Sequence, residues 1–106
     1  MSDQSPTILV VDDERGMRTT LVGSLEENGY NLLDSENGRD AIRAIEEHQP
    51  EIVISDLRLP DVDGLEILQS LNEASPDSAF IVVTGYASVD SAMEALNEGA
   101  YAYIPK

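Results

Sequence analysis

Short apolar runs recur along the chain, and each ends abruptly in a polar group. Runs of this length that are rich in β-branched residues are typical of strands buried on both faces of a parallel sheet. The four clearest runs are residues 8–11 before Asp12 and Asp13, residues 52–54 before Ser55 and Asp56, residues 80–83 before Thr84, and residues 101–104 before Pro105 and Lys106. Because ligands bind such sheets beyond the carboxyl ends of the strands, we expect these polar residues to converge on one site.

Segments with helical spacing of apolar residues lie between the strands. The predicted helices are one whose face carries Met17, Leu21, Val22 and Leu25 before Gly29, one from Asn37-Gly38 to before Pro50, one carrying Leu65, Leu68 and Leu71, and one from about residue 88 to Gly99 that buries Val89, Ala92, Met93 and Leu96. A weaker strand, residues 31–35, suits a sheet edge. This alternation predicts an α/β fold: a flavodoxin-like, doubly wound sheet of five parallel strands in the order 2-1-3-4-5, with helices on both faces.

The length of 106 residues suits one domain, spanning residues 1–106. The last predicted strand ends at the final residue, where another helix would normally cover the sheet, so we expect a domain truncated after the fifth strand, with the fifth helix missing. The chain has no cysteine, no apolar stretch of membrane-spanning length and no signal peptide at its start. These features predict a soluble protein in the cytoplasm.

The formal net charge of −15 creates a field that repels nucleic acid and anionic membranes. We therefore expect no direct nucleic acid binding by this domain and no membrane association. The repeated apolar runs favour a packed fold with an acidic surface over disorder.

The strand order places two acidic strand ends side by side. Asp12 and Asp13 follow the first strand and Asp56 follows the third, so their carboxylates should lie a few ångströms apart and raise one another's proton affinity unless a cation neutralises them. A small set of oxygen ligands favours Mg²⁺, with Asp13 as a direct ligand and Asp12 as a ligand through water. Together with the hydroxyl of Thr84 and the ammonium of Lys106, this set suits formation of an aspartyl phosphate on Asp56.

Several motifs in this order resemble those of one family, the receiver domains of bacterial two-component response regulators. The motifs are residues 10–14 (VVDDE), 55–60 (SDLRLP), 63–64 (DG), 83–85 (VTG), 99–101 (GAY) and 103–106 (YIPK). The sequence of residues 56–60 and 84–95 resembles that of receivers of the NtrC type, which belong to sigma-factor activators.

The resemblance implies a chemistry for the site. Asp56 would accept a phosphoryl group from a sensor histidine kinase, and the Arg58 main-chain carbonyl would join Asp13 and Asp56 around Mg²⁺. Thr84 would bond the phosphoryl oxygens, and Lys106 would pair with them. The domain would then be a signalling module that promotes only its own phosphorylation and dephosphorylation, not an enzyme with a separate substrate.

The resemblance also implies a switch. Tyr103 matches the aromatic residue whose inward rotamer follows Thr84 toward the phosphoryl group, and this motion would change the surface of the fourth helix and fifth strand. That surface would control an output domain or partner, in a transcriptional role, and would be the face of a homodimer. Family members continue past the lysine into a fifth helix, so its absence would leave apolar surface exposed.

Other functions are compatible with parts of the pattern. Asp12 or Asp13 could cap the first helix, and Asp61 and Asp63 suit a turn and a helix cap better than a metal site. A Mg²⁺-dependent phosphatase or phosphotransferase of the haloacid-dehalogenase type also uses a strand-end aspartate, but it places an acid where Arg58 stands here. A flavin or nucleotide carrier would need a glycine-rich phosphate loop, which the sequence lacks.

Overall fold

A computed structural model of the chain describes residues 5–85 and 89–105. The elements in chain order are β1 (Thr7–Val11), α1 (Arg15–Glu27), β2 (Asn31–Ser35), α2 (Gly38–His48), β3 (Ile52–Ser55), α3 (Gly64–Ala74), β4 (Ala79–Thr84), α4 (Val89–Asn97) and β5 (Ala102–Pro105). All strand pairs are parallel and the sheet order is β2-β1-β3-β4-β5. The predicted fold class is confirmed, including the edge position of β2.

The main core lies on one face of the sheet. Side chains alternate along each strand, so every second residue of β1, β3 and β4 points to this face and is fully buried. The core joins these strand residues to α2, α3 and α4 and consists of Leu9, Val11, Ala41, Ile45, Val53, Ile67, Leu68, Leu71, Phe80, Val82, Ala95 and Ala100. Three helices thus cover this face.

Helix α1 lies on the opposite face. Its residues Met17 and Leu21 line a small apolar cavity with Val10, Ile54 and Val83, the strand residues that point away from the main core. The predicted apolar stripe of α1 therefore does face the sheet. None of its residues is fully buried, however, since α1 is the one helix on this face within the described ranges.

No helix in the described ranges is long and apolar enough to cross a membrane.

The orientation of α4 differs from the prediction. Met93 and Leu96 were expected in the core but are 56% and 45% exposed, whereas Ala95 is completely buried. Ala92 is half-buried, and the Val89 side chain, also predicted to be buried, lies outside what the structure describes. Helix α4 turns its small residues toward the sheet because they allow a close approach, which leaves the two larger side chains outward.

Local sequence signals set several helix ends. The Asn37 side chain accepts a hydrogen bond from the Asp40 backbone N–H and so caps α2. Asp63 caps α3 by accepting from the Leu65 N–H at 3.0 Å. Beyond α4, Gly99 has a φ of +112°, a left-handed conformation that favours glycine and ends the helix.

Candidate functional site

Three carboxylates meet at the carboxyl edge of the sheet. Asp12 and Asp13 follow β1, Asp56 follows β3, and the two strands are paired in register at Val11 and Ser55. One carboxylate oxygen from each aspartate lies within 4.8 Å of the others. Asp12 and Asp56 are only 5% and 8% exposed, while Asp13 is exposed. Strand order and register therefore bring together residues more than forty positions apart in sequence.

This arrangement fits a hard divalent cation. Three neighbouring carboxylates repel one another, and the repulsion is strong where two of them are largely withdrawn from water. Carboxylate oxygens are the ligands that Mg²⁺ and Ca²⁺ prefer, and the exposed Asp13 keeps one side of the cluster open to solvent. The cluster of Asp12, Asp13 and Asp56 is thus chemically suited to hold such an ion.

Asp12 has a second, structural role in the turn that precedes α1. Its carboxylate accepts a hydrogen bond from the Glu14 N–H at 2.9 Å. The N-cap residue of α1 is Glu14, and no side-chain cap hydrogen bond forms there. The N-cap position that the sequence suggested for Asp12 or Asp13 is therefore occupied by Glu14.

Arg18, which the sequence analysis did not single out, supports the same corner of the site. Its guanidinium donates to the Asp12 main-chain carbonyl at 2.7 Å and to the Asp34 carboxylate at 3.3 Å, and its side chain is only 12% exposed. It also lies 3.9 Å from the Glu36 carboxylate. The sequence contained a signal for this role, because Arg18 is a basic residue that follows the acidic pair Asp12 and Asp13 by five positions in a strongly acidic chain.

The segment after β3, residues 56–63, is termed here the β3–α3 loop. It begins at Asp56, whose carboxylate accepts a hydrogen bond from the Arg58 N–H at 3.1 Å. The backbones of Arg58 and Asp63 form an isolated antiparallel β-bridge across the loop. The Gly64 N–H donates to the Leu57 carbonyl at 3.0 Å. The Arg58 side chain is exposed, so its predicted contribution to the metal site concerns the main chain alone.

The other predicted site residues lie at the same edge of the sheet or outside the described part. Thr84 is fully buried at the end of β4, next to β3, and is paired in register with Pro105 of β5. Tyr103 packs against the main core, and its hydroxyl is buried without a hydrogen-bond partner among the residues that the structure describes. Lys106 lies outside those residues.

Neither Asp61 nor Asp63 is part of the carboxylate cluster, and Asp63 takes the predicted role of a helix cap, whereas Asp61 contacts the start of α2 instead of serving only its own turn. Asp63 caps α3, and Asp61 accepts hydrogen bonds from the N–H groups of Gly38 and Arg39 at 2.8 and 3.0 Å. Desolvation, the largest single influence, raises the pKa of Asp61. Hydrogen bonds from four backbone N–H groups, those of Gly38 and Arg39 foremost, outweigh it and hold the pKa below its usual range.

Comparison with known proteins agrees with this geometry. The family model described as "Response regulator receiver domain" matches residues 8–106. The transcriptional regulator NtrC of Proteus hauseri is 33% identical over 103 residues, which cover 97% of this chain and 22% of NtrC. The chain spans between about a fifth and less than half of the length of the curated relatives it matches.

Solved structures that are similar in both fold and sequence include two that bear on the site. A response regulator from Burkholderia pseudomallei with a phosphorylated aspartic acid, a calcium ion and citrate has a TM-score of 0.91 at 32% identity, covering 96% of this chain and 60% of that one. The beryllofluoride-activated NtrC4 receiver domain dimer has a TM-score of 0.88 at 38% identity, covering 100% of this chain and 84% of that one.

Proposed function

Since the chain belongs to the family of response regulator receiver domains, we propose that Asp56 is its phosphoacceptor and that a sensor histidine kinase is the donor. One observation carries the assignment. Asp56 is the buried carboxylate at the end of a central strand, and two further carboxylates lie within 4.8 Å of it. A strand end with a cation-binding cluster beside it is where an aspartate can receive a phosphoryl group.

The proposed transfer is an in-line displacement at phosphorus. An Asp56 carboxylate oxygen forms the new P–O bond while the P–N bond to the donor histidine breaks, and the imidazole nitrogen leaves with the electron pair. Hydrolysis of the resulting acyl phosphate by water returns the carboxylate and releases inorganic phosphate. The domain promotes these two steps on itself and acts on no separate substrate.

Asp12, Asp13 and Asp56, with the main-chain carbonyl of Arg58, would hold the divalent cation, which we propose is Mg²⁺. When bound, the cation offsets the negative charge of the phosphoryl oxygens. The calcium ion in the Burkholderia pseudomallei structure supports a divalent ion in such a domain. Thr84 and Lys106 would contact the phosphoryl oxygens from the neighbouring strands.

Phosphorylation would be read at the surface of α4 and β5. Movement of Thr84 toward the phosphoryl group would let the Tyr103 ring follow, and these two residues stand on adjacent strands, β4 and β5. An output domain or partner with a role in transcription would recognise the altered surface, as would a second copy of the chain in a homodimer. The NtrC4 receiver domain dimer supports the latter arrangement. A cytoplasmic location is part of the same proposal.

Acetyl phosphate provides the test without the kinase. We expect the protein incubated with acetyl phosphate and MgCl₂ to gain one labile phosphoryl group by intact mass spectrometry, and Asp56→Asn to gain none. The matched control is Asp77→Asn, the same change at an exposed aspartate distant in sequence from the cluster.

An adduct that persists in Asp56→Asn would contradict the assignment. Multiple turnover on small phosphomonoesters would instead favour the phosphatase or phosphotransferase class.

A further inference from the structure

The β3–α3 loop is tied to the start of α2 by one side chain. Asp61 uses both carboxylate oxygens, with Oδ1 accepting from the Gly38 N–H at 2.8 Å and Oδ2 from the Arg39 N–H at 3.0 Å. These partners lie more than twenty residues away in sequence, so the contact is tertiary rather than a local turn. A carboxylate at the positive end of a helix also gains from the helix dipole.

Helix α2 has its own local cap, which the Asp61 contact supplements. The Asn37 side chain accepts from the Asp40 N–H at 2.9 Å, so the third amide of the first turn is satisfied locally. Asp61 takes the two amides before it. The same end of the helix is therefore held by one residue that belongs to it and one that belongs to the β3–α3 loop.

The packing around Gly38 shows that the loop lies tightly against α2. A Cβ atom on Gly38 would overlap the Val62 Cγ2 atom, and it would come within 3.2 Å of Asp61 Oδ1. Glycine is a poor helix former, and it stands at the first position of α2 where the loop makes its closest approach. The absence of a side chain at Gly38 thus makes room for Val62 and Asp61 of the loop.

The loop is anchored at its other end beside the carboxylate cluster. The Arg58 N–H donates to Asp56 Oδ1 at 3.1 Å, and the backbones of Arg58 and Asp63 form an antiparallel β-bridge across the loop. Asp61 attaches the tip of the loop to α2, and the Arg58 N–H attaches its start to Asp56. The course of the main chain between these two points is therefore restrained. This course includes the Arg58 carbonyl.

We propose that Asp61 is a positioning residue that holds the β3–α3 loop so that the Arg58 carbonyl and the Asp56 carboxylate can bind one divalent cation together. This inference rests on the function proposed above. It assigns Asp61 no contact with the metal or the phosphoryl group, and its effect is transmitted through the loop.

Asp61→Asn and Asn37→Ala form a matched pair for the test. Asp61→Asn keeps the size of the side chain but replaces one accepting oxygen with an amide N–H₂ that faces a backbone donor, so it removes the charge and one of the two hydrogen bonds and weakens the tie to the loop. Asn37→Ala weakens the same end of α2 and leaves the tie intact. Both variants should lower the melting temperature to a similar extent, which matches their loss of helix capping.

Metal binding should separate the two variants. Titration calorimetry with MgCl₂ should give an affinity about tenfold weaker for Asp61→Asn, as for other residues that orient metal ligands, and an unchanged affinity for Asn37→Ala. Amide hydrogen exchange in residues 57–63 should quicken in Asp61→Asn alone. Asp61→Glu, which keeps the charge and both oxygens, should recover part of the affinity.

Equal Mg²⁺ affinity and equal loop exchange in the two variants would reduce Asp61 to a helix cap and overturn the inference, while the function proposed for Asp56 would stand. A wild-type protein that bound no Mg²⁺ and took no phosphoryl group from acetyl phosphate would overturn both.

Discussion

At the scale of single residues, the shape of the site depends on close backbone approaches. Gly64, the first residue of α3, is buried against the start of the β3–α3 loop. A Cβ atom there would lie 2.8 Å from the Leu57 Cα and 2.9 Å from the Asp56 main-chain oxygen. Both neighbours are backbone atoms, which cannot move aside as the end of a side chain can. Any residue larger than glycine must displace the segment that carries Asp56.

Gly64→Ala should therefore destabilise the fold by about 1–3 kcal/mol through overpacking and should slow uptake of the phosphoryl group from acetyl phosphate. Urea unfolding and intact mass spectrometry measure the two effects. Gly23→Ala is the control, because Gly23 lies inside α1 with nothing within 4 Å of its added Cβ. That change should stabilise the protein by about 0.5–1 kcal/mol through helix propensity. Two effects of the same sign would contradict this account.

Asp61 should make stability depend on pH in acid. Because folding lowers the pKa of Asp61, its stabilising contribution is complete above the pKa of the unfolded chain and is lost as the pH falls through the lower, folded value. The difference in unfolding free energy between the wild type and Asp61→Asn should thus be constant near neutral pH and shrink below about pH 4. Urea unfolding at a series of pH values checks it, and a difference that persists at the lowest pH would show that charge is unimportant there.

At the scale of elements, α4 shows how a helix orients itself by the size of its residues. Its buried side is formed by small side chains, with Ala95 fully enclosed, while Met93 and Leu96 face outward. The amide of Asn72 on α3 donates to the Glu98 carbonyl just beyond the end of α4 at 3.1 Å, which fixes this end of the helix. The outward apolar residues leave α4 with a surface that another molecule can contact.

The same substitution in two helices tests this orientation. Leu68→Ala in α3 removes a fully buried side chain and should cost about 2–5 kcal/mol of unfolding free energy. Leu96→Ala in α4 removes a side chain that is 45% exposed, so it should cost well under half as much. Urea unfolding of both variants gives the comparison, and equal losses would place Leu96 in the core after all.

At the scale of the whole molecule, charge is distributed unevenly. Residues 59–105 contain no lysine, arginine or histidine, so every charged side chain in α3, α4 and their loops is acidic. The net charge of the chain is −15. The exposed residues Asp90 and Glu94 lie four positions apart on one flank of α4, and the exposed Glu98 directly follows the end of the helix. A homodimer through α4 and β5 would bring two such flanks together, so its formation should be favoured by salt.

Added salt should also stabilise the monomer. Raising NaCl from about 0.01 M to about 0.1 M shortens the Debye length from about 30 Å to about 10 Å and screens the repulsion among the acidic groups. The melting temperature should rise over this range. MgCl₂ at equal ionic strength should raise it further, because an ion that binds the folded state at 100 times its Kd adds about 2.7 kcal/mol. Identical curves in the two salts would argue against a specific cation site.

Local patterns predicted most of the fold. The apolar runs located the strands within a residue or two, and polar residues such as Asn37 and Asp63 marked the starts of helices because capping depends on neighbours in sequence. The parallel direction of the strands followed from the alternation of strands and helices. The prediction for α4 was wrong where apolar character alone was used, since Met93 and Leu96 have the helical spacing of a core face but not its position.

The sequence by itself determined the parallel sheet and the convergence of Asp12, Asp13 and Asp56, because strand ends in a parallel sheet meet at one edge and the predicted doubly wound order 2-1-3-4-5 makes the first and third strands neighbours. Only the tertiary structure decided which side of α4 is buried, that Arg18 supports the Asp12 main chain and that Asp61 binds the start of α2. Those contacts join segments whose relative placement depends on packing between elements, and no local pattern of residues encodes it.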